Sequence, residues 1–208
     1  MSLGIRRDNI RAYGIPTHPV FSSRTLHDAA VRHPRRRVLV MGGSRGIGPG
    51  YSTIKALDRS EEPFTIDVIA GMNRTLGNRL AANRRDFTHP IRLRGMVKDV
   101  APLMFKADLL VNKAGGLTCA EALCAGLPML IIHPLTGQET SNTEELVAHG
   151  AALHLQKDRD VPAVVTTLFE NPEILSMMKD RALTMAKPAA ALQTARDILA
   201  AGRHHPPA

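Results

Sequence analysis

Six short strand-like segments, most of them apolar and each followed by a segment with helical spacing, limit what this 208-residue chain can fold into. The strand-like segments lie at 37–41, 64–70, 91–94, 109–112, 129–132 and 152–155; the helical segments lie near 51–59, 75–83, 100–106, 117–125, 138–149 and 161–170. This alternation predicts an α/β fold, a Rossmann-like parallel sheet of about six strands flanked by helices and joined by right-handed crossovers. Both ends of the chain read differently. Gly14-Ile15-Pro16-Thr17-His18-Pro19 is an extended tether, because each proline drives its predecessor out of the helical region, and Thr25 to His33 is a short helix. After Pro172, helical spacing continues through Ile174, Met177, Met178 and Leu183; Pro188 interrupts it, and 189–201 forms a last helix before a frayed tail. The expected organisation is a tether with a short helix at 1–35, an α/β domain at 36–170 and C-terminal helices at 171–208.

Composition narrows the function classes. Apolar residues make up 44%, enough for a packed core, but aromatics are only 3% with no Trp. Nucleic-acid recognition by base stacking is therefore not expected. A net charge of +8 points to an anionic partner, either a phosphorylated substrate or an anionic membrane surface; a solvated basic face explains it equally well. No apolar run reaches the ~20 residues of a membrane span, so membrane contact is expected to be peripheral. Cys119 and Cys124 are five apart on one predicted helix, on different faces. Free thiols in a reducing cytosol are expected, with no leader visible. The nine histidines show no metal-ligand spacing.

Gly42-Gly43-Ser44-Arg45-Gly46-Ile47-Gly48 follows the first strand and precedes a helix. Glycines there allow a tight turn and let backbone amides approach a phosphate. The wording resembles the cofactor loop of short-chain dehydrogenases, and Asn112-Lys113-Ala114-Gly115 resembles a second segment of theirs. That family needs a Tyr-x-x-x-Lys pair well downstream. The only tyrosines are Tyr13 and Tyr51, and Tyr51-Ser52-Thr53-Ile54-Lys55 sits on the first helix, at the wrong end of such a site. The chemistry argues against an NAD(P) oxidoreductase.

The stretch from Lys113 to Asn142 is more informative. Gly115, Gly116 and Thr118 open a helix, Glu121 lies about a turn along it, and Gly126-Leu127-Pro128 ends it before the strand 129–132. Gly137, Gln138, Glu139 and Asn142 follow in a polar loop. A parallel-sheet domain holds a nucleotide-sugar with such parts: helix N-terminus to phosphate, carboxylate to ribose, loop groups to sugar hydroxyls. Taken singly, each residue has a plainer reading. Glu121 is then an exposed helix residue, Thr118 a cap, Lys113 a solvated lysine, His133 structural, and the 138–142 group a helix start.

As an ordered set, Lys113-Ala114-Gly115-Gly116-Leu117-Thr118, Glu121-Ala122, Gly126-Leu127-Pro128 and Gly137-Gln138-Glu139 with Asn142 resembles the donor-binding half of GT-B glycosyltransferases. The likeness is to monogalactosyldiacylglycerol synthases and processive diacylglycerol glucosyltransferases, over roughly residues 12–200. The resemblance implies that 36–170 binds a UDP-sugar, UDP-glucose or UDP-galactose. It places Gly42, Gly43 and Ser44 against the donor phosphates, Gly71 and Asn73 along the site, and Gly95, Met96 and Val97 around the uracil. Gly115, Gly116, Leu117 and Thr118 would face the diphosphate, Glu121 the ribose, and Gln138, Glu139 and Asn142 the transferred hexose. It implies an inverting transfer with no metal and no cofactor. In such enzymes a second, N-terminal domain brings the acceptor and the catalytic base. This sequence shows one such domain, so an acceptor domain or separate subunit is the expected partner. A non-catalytic regulatory module that keeps the nucleotide fold is the alternative from another class.

Overall fold

The computed structural model describes residues 10–22, 35–43 and 46–203. The expected helix at 25–33, Ser44, Arg45 and the tail from 204 lie outside the described residues. Six strands form one sheet: β1 Arg36–Met41, β2 Phe64–Ile69, β3 Ile91–Arg94, β4 Leu109–Asn112, β5 Met129–Ile132 and β6 Ala152–Leu155. Their order is β3-β2-β1-β4-β5-β6, with every neighbouring pair parallel. The helices are α1 Tyr51–Leu57, α2 Arg74–Ala82, α3 Ala101–Met104, α4 Gly116–Cys124, α5 Gln138–Ala148, α6 Val161–Glu170, α7 Pro172–Met185 and α8 Ala190–Arg203.

Alternation along the strands divides the core into two layers. Val38, Val40, Ile66, Val68, Leu109, Val111 and Leu130 face α1, α2 and α6, meeting Ile54, Leu80 and Val165. Leu39, Met41, Ile69, Leu110, Met129 and Ile131 face the other way, toward Met104, Ala122 and Leu146 of α3, α4 and α5. Helix α7 serves both layers, with Leu175 and Met178 in the first and Ala182 in the second. The central strands are covered on both faces, which is why they read as unbroken apolar runs rather than alternating ones. At the edge, β3 keeps only Ile91 buried and exposes Arg92, Leu93 and Arg94; its arginines discourage pairing with another chain.

The sheet reverses direction between β1 and β4. Chain crossovers leave β1 toward β2 on one side and β4 toward β5 on the other. The loops after these two strands therefore diverge and leave a crevice at the carboxyl ends of the strands, the usual ligand position in open α/β sheets. The tether is fixed to the far end of the chain by a 2.6 Å hydrogen bond from Tyr13 Oη to Asp197 Oδ2 of α8.

Candidate functional site

A cleft of about 580 Å³ opens at this reversal. Gly42, Gly43 and Ile47 line it from the turn after β1, Gly71 from the turn after β2, Met96, Val97 and Lys98 from the loop after β3, and Leu135 from the loop after β5. Lys113, Gly115, Gly116, Leu117, Thr118 and Glu121 complete the wall from the β4–α4 connection. Residues distant in sequence thus converge because their strands end side by side.

The two glycine-bearing turns are built by specific conformations. Gly46 has φ +63°, and an added Cβ would lie 2.3 Å from the Ala70 carbonyl oxygen. Only glycine permits the first turn to press against the second. Asn73 secures this contact, donating from Nδ2 to the Gly46 carbonyl at 3.0 Å while its Oδ1 accepts from the Leu76 amide and caps α2. In the β4–α4 turn, Ala114 takes φ +66° although it carries a side chain, and it is fully buried. Such a conformation costs about 1–2 kcal/mol and persists only when neighbours hold it. Asn142 is one of them, donating from Nδ2 to the Ala114 carbonyl at 2.9 Å. Gly115 then opens α4 with no side-chain cap. The first-turn amides of α4 have no acceptor within the helix, and they sit at the cleft wall with the positive end of the helix dipole.

Three charged side chains line the cleft among the described residues: Lys98, Lys113 and Glu121. Burial, aided by the charge of Asp99, pushes the Glu121 carboxyl up to about 7. Lys113 forms an ion pair with Glu139, whose other oxygen accepts from the Leu135 amide at 2.7 Å.

Of the residues singled out in the sequence, Gly42, Gly43, Gly71, Met96, Val97, Gly115, Gly116, Leu117, Thr118 and Glu121 share the cleft wall. Gly95 stands behind it, where a Cβ would meet the Gly71 carbonyl oxygen at 4.0 Å. Asn73 and Asn142 lie outside the lining and brace the two turns. Glu139 is engaged with Lys113 and Leu135. Gln138 is exposed at the start of α5, and a Cβ on Gly116 would lie 3.7 Å from its Nε2. Six wall residues were not singled out in the sequence: Met41 and Ile69 at the ends of β1 and β2, and Ile47, Lys98, Val100 and Leu135 between elements. Also unread was Asp158, whose Oδ1 accepts from Thr53 Oγ1 at 2.7 Å and lies 3.1 Å from His133 Nε2. His133, at the end of β5 with φ +52°, thus has a structural side-chain partner. Tyr51 is outside the cleft; Arg79 stacks over its ring at 3.8 Å, and Lys55 bonds to Asp58 and to the Asp86 carbonyl.

The profile of the glycosyltransferase family 28 C-terminal domain matches residues 37–198. The chain belongs to this family. Its relatives include monogalactosyldiacylglycerol synthase 3, chloroplastic, of Arabidopsis thaliana, 31% identical over 94% of this chain and 44% of the relative. A probable monogalactosyldiacylglycerol synthase 3, chloroplastic, of Oryza sativa subsp. japonica is 32% identical over 93% of this chain and 41% of its own length. The chain thus spans less than half of these relatives. Among solved structures, MurG of Acinetobacter baumannii superposes with a TM-score of 0.66 at 24% identity, over 82% of this chain and 50% of that one. The C-terminal CMP-Kdo binding domain of WaaA from Acinetobacter baumannii superposes at 0.54 with 13% identity, over 79% of this chain and 97% of that one. Anabaena HepE in complex with UDP gives 0.61 at 14% identity, over 90% and 54%. The structural likenesses establish the fold. The glycine turn after β1 therefore belongs to a family 28 glycosyltransferase domain and not to a short-chain dehydrogenase.

Among the described residues, no helix is long and apolar enough to cross a membrane, and no group of three His, Cys, Asp or Glu side chains could hold a metal ion.

Proposed function

We propose that this chain is the donor-binding half of a glycosyltransferase that moves a hexose from UDP-glucose or UDP-galactose to an acceptor, a diacylglycerol-type lipid, by inverting transfer without a metal. One observation carries the reading: the uncapped N-terminus of α4, the turns at Gly42–Gly43 and Gly71, and the Glu121 carboxyl meet in one cleft at the β1/β4 reversal. A nucleoside diphosphate fits each part. Its phosphates rest on amides of the glycine turns and the first turn of α4, where fixed dipoles favour negative charge. Its ribose hydroxyls donate to Glu121. The Met96–Val97 segment borders the base.

The same arrangement serves departure of the nucleotide. As the glycosidic bond breaks, charge grows on the leaving diphosphate, and donors already in place stabilise it without reorganising. Lys98 adds positive charge to the wall, which suits a reaction that does not call on a metal. The catalytic base and acceptor site belong to a second domain or subunit in this reading. The net charge of +8 supports a peripheral seat on an anionic membrane, where a lipid acceptor would be met.

The test is calorimetric titration of the chain with UDP, UDP-glucose and UDP-galactose in metal-free buffer, with NADPH for comparison. Binding of the uridine nucleotides without metal is expected. No uridine nucleotide binding at millimolar concentration would refute the reading.

A further inference from the structure

Lys113 is the cleft residue that the sequence left ambiguous, and its surroundings are specific. It leaves the end of β4, and its stem packs against the glycine turn; a Cβ on Gly48 would come within 3.2 Å of Lys113 Cδ. Its ammonium is paired with Glu139, and both side chains are largely enclosed, 16% and 13% exposed. The two partners differ in freedom. Glu139 is anchored beyond the pair, because its second oxygen takes the Leu135 amide and its own carbonyl accepts from Thr143 Oγ1 at 2.6 Å. Lys113 has a four-carbon stem and lines the cleft, whereas Glu139 does not. The mobile partner is therefore the cation, and it already stands at the wall.

We propose that Lys113 is a diphosphate-binding residue held in reserve: Glu139 and the phosphates of the bound nucleotide compete for its ammonium, so Glu139 lowers the affinity for the donor and for the departing nucleotide. The proposal rests on the donor-binding reading above. An enclosed ammonium without a partner is costly, so the empty cleft needs an internal anion. A diphosphate brings more charge and more oxygens than one carboxylate, and the ammonium has three donors to redistribute. When the nucleotide leaves, Glu139 recovers the ammonium. Product retention, a common brake on turnover, is thereby opposed.

UDP is titrated calorimetrically into the full chain, wild type and the variants Glu139→Gln, Lys113→Met and the double variant. Freed from its competitor, Lys113 in Glu139→Gln is expected to tighten UDP by about fivefold. Lys113→Met is expected to weaken it by about tenfold or more, the worth of a charge-assisted hydrogen bond. The double variant should match Lys113→Met, because Glu139 acts only through the lysine. It leaves neither charge unpaired, so it carries the comparison with Glu139→Gln should Lys113→Met not fold. Equal tightening by Glu139→Gln with and without Lys113 would show plain charge repulsion and overturn the proposal. Unchanged or weakened binding in Glu139→Gln would also overturn it. A wild-type chain that binds no UDP would remove the donor-binding reading itself, and this inference with it.

Discussion

Glu121 offers a test in which stability and function should move in opposite directions. Its carboxyl is held near 7 rather than 4.5, because burial disfavours its charge and Asp99 adds to the effect. The folded domain therefore binds a proton that the unfolded chain has lost, and stability falls as pH rises from 4.5 through about 7. At about 1.36 kcal/mol per pH unit, the full displacement corresponds to roughly 3.4 kcal/mol. Glu121 is partly exposed, and solvent screening reduces this to about 1 kcal/mol. Glu121→Gln removes the charge and nearly keeps the shape. It should stabilise the empty domain at pH 8 by about 1 kcal/mol more than at pH 5, a difference of roughly 2–4 °C in Tm for a domain of this size. The same variant should bind UDP about tenfold more weakly, through loss of charged hydrogen bonds to the ribose. Thermal melts at both pH values, with and without UDP, read both effects. A Tm gain of the same size at pH 5 and pH 8 would refute the electrostatic reasoning. Unchanged UDP affinity would refute the ribose assignment.

Other substitutions probe the scaffold. Gly46→Ala and Gly43→Ala both place a side chain at positive φ, but the first meets the Ala70 carbonyl at 2.3 Å and the second meets nothing within 4 Å. Chemical denaturation should show about 1 kcal/mol lost for Gly43→Ala and more than about 3 kcal/mol for Gly46→Ala. Asp158→Ala removes the acceptor shared by Thr53 and His133 and should cost about 1–3 kcal/mol by the same measurement. Hydrogen bonds from Ser52, Thr53 and His133 outweigh burial and hold the Asp158 carboxyl below its ordinary range. Its stabilising contribution should therefore be present at neutral pH and disappear as pH falls through that lowered value. Cys119 is buried with its thiol pushed up to about 12, and Cys124 is buried with its thiol raised as well. Iodoacetamide at pH 7.5 should label neither until the chain is unfolded, as followed by mass spectrometry.

Most strands were legible as short, largely apolar runs with a turn beyond them, and β3 as an alternating edge segment, Ile91-Arg92-Leu93-Arg94. β3, β4, β5 and β6 fall on the residues expected, and β1 and β2 differ by one residue at an end. Helix limits moved by one or two residues, as end fraying and capping dictate; α1 stops at Leu57 rather than 59 because Asp58 takes the C-cap. The cleft lining was legible where glycine or a helix start marks it, as at Gly42, Gly71 and Gly115–Thr118. It was not legible where a residue matters through a distant neighbour. Nothing local to Lys113 announces Glu139, twenty-six positions later. Nor does Ala114 reveal its left-handed backbone, whose carbonyl is bonded by Asn142 of another helix. Ile47 and Leu135 are ordinary loop apolars until the fold sets them at one mouth. Asn73 lies two residues after Gly71 and reads as a site residue, yet its side-chain amide joins two turns.

The strand order also bears on how the domain assembles. β1 pairs with β2, and β4 with β5, across short βα excursions, but β1 meets β4 about seventy positions away, at Val38 and Leu109. Closing that distance is the entropically demanding step, so two half-sheets should form early and dock late along the β1/β4 seam. The cleft straddles that seam. If the proposed nucleotide lodges there, it clasps the halves together and acts as a brake on unfolding.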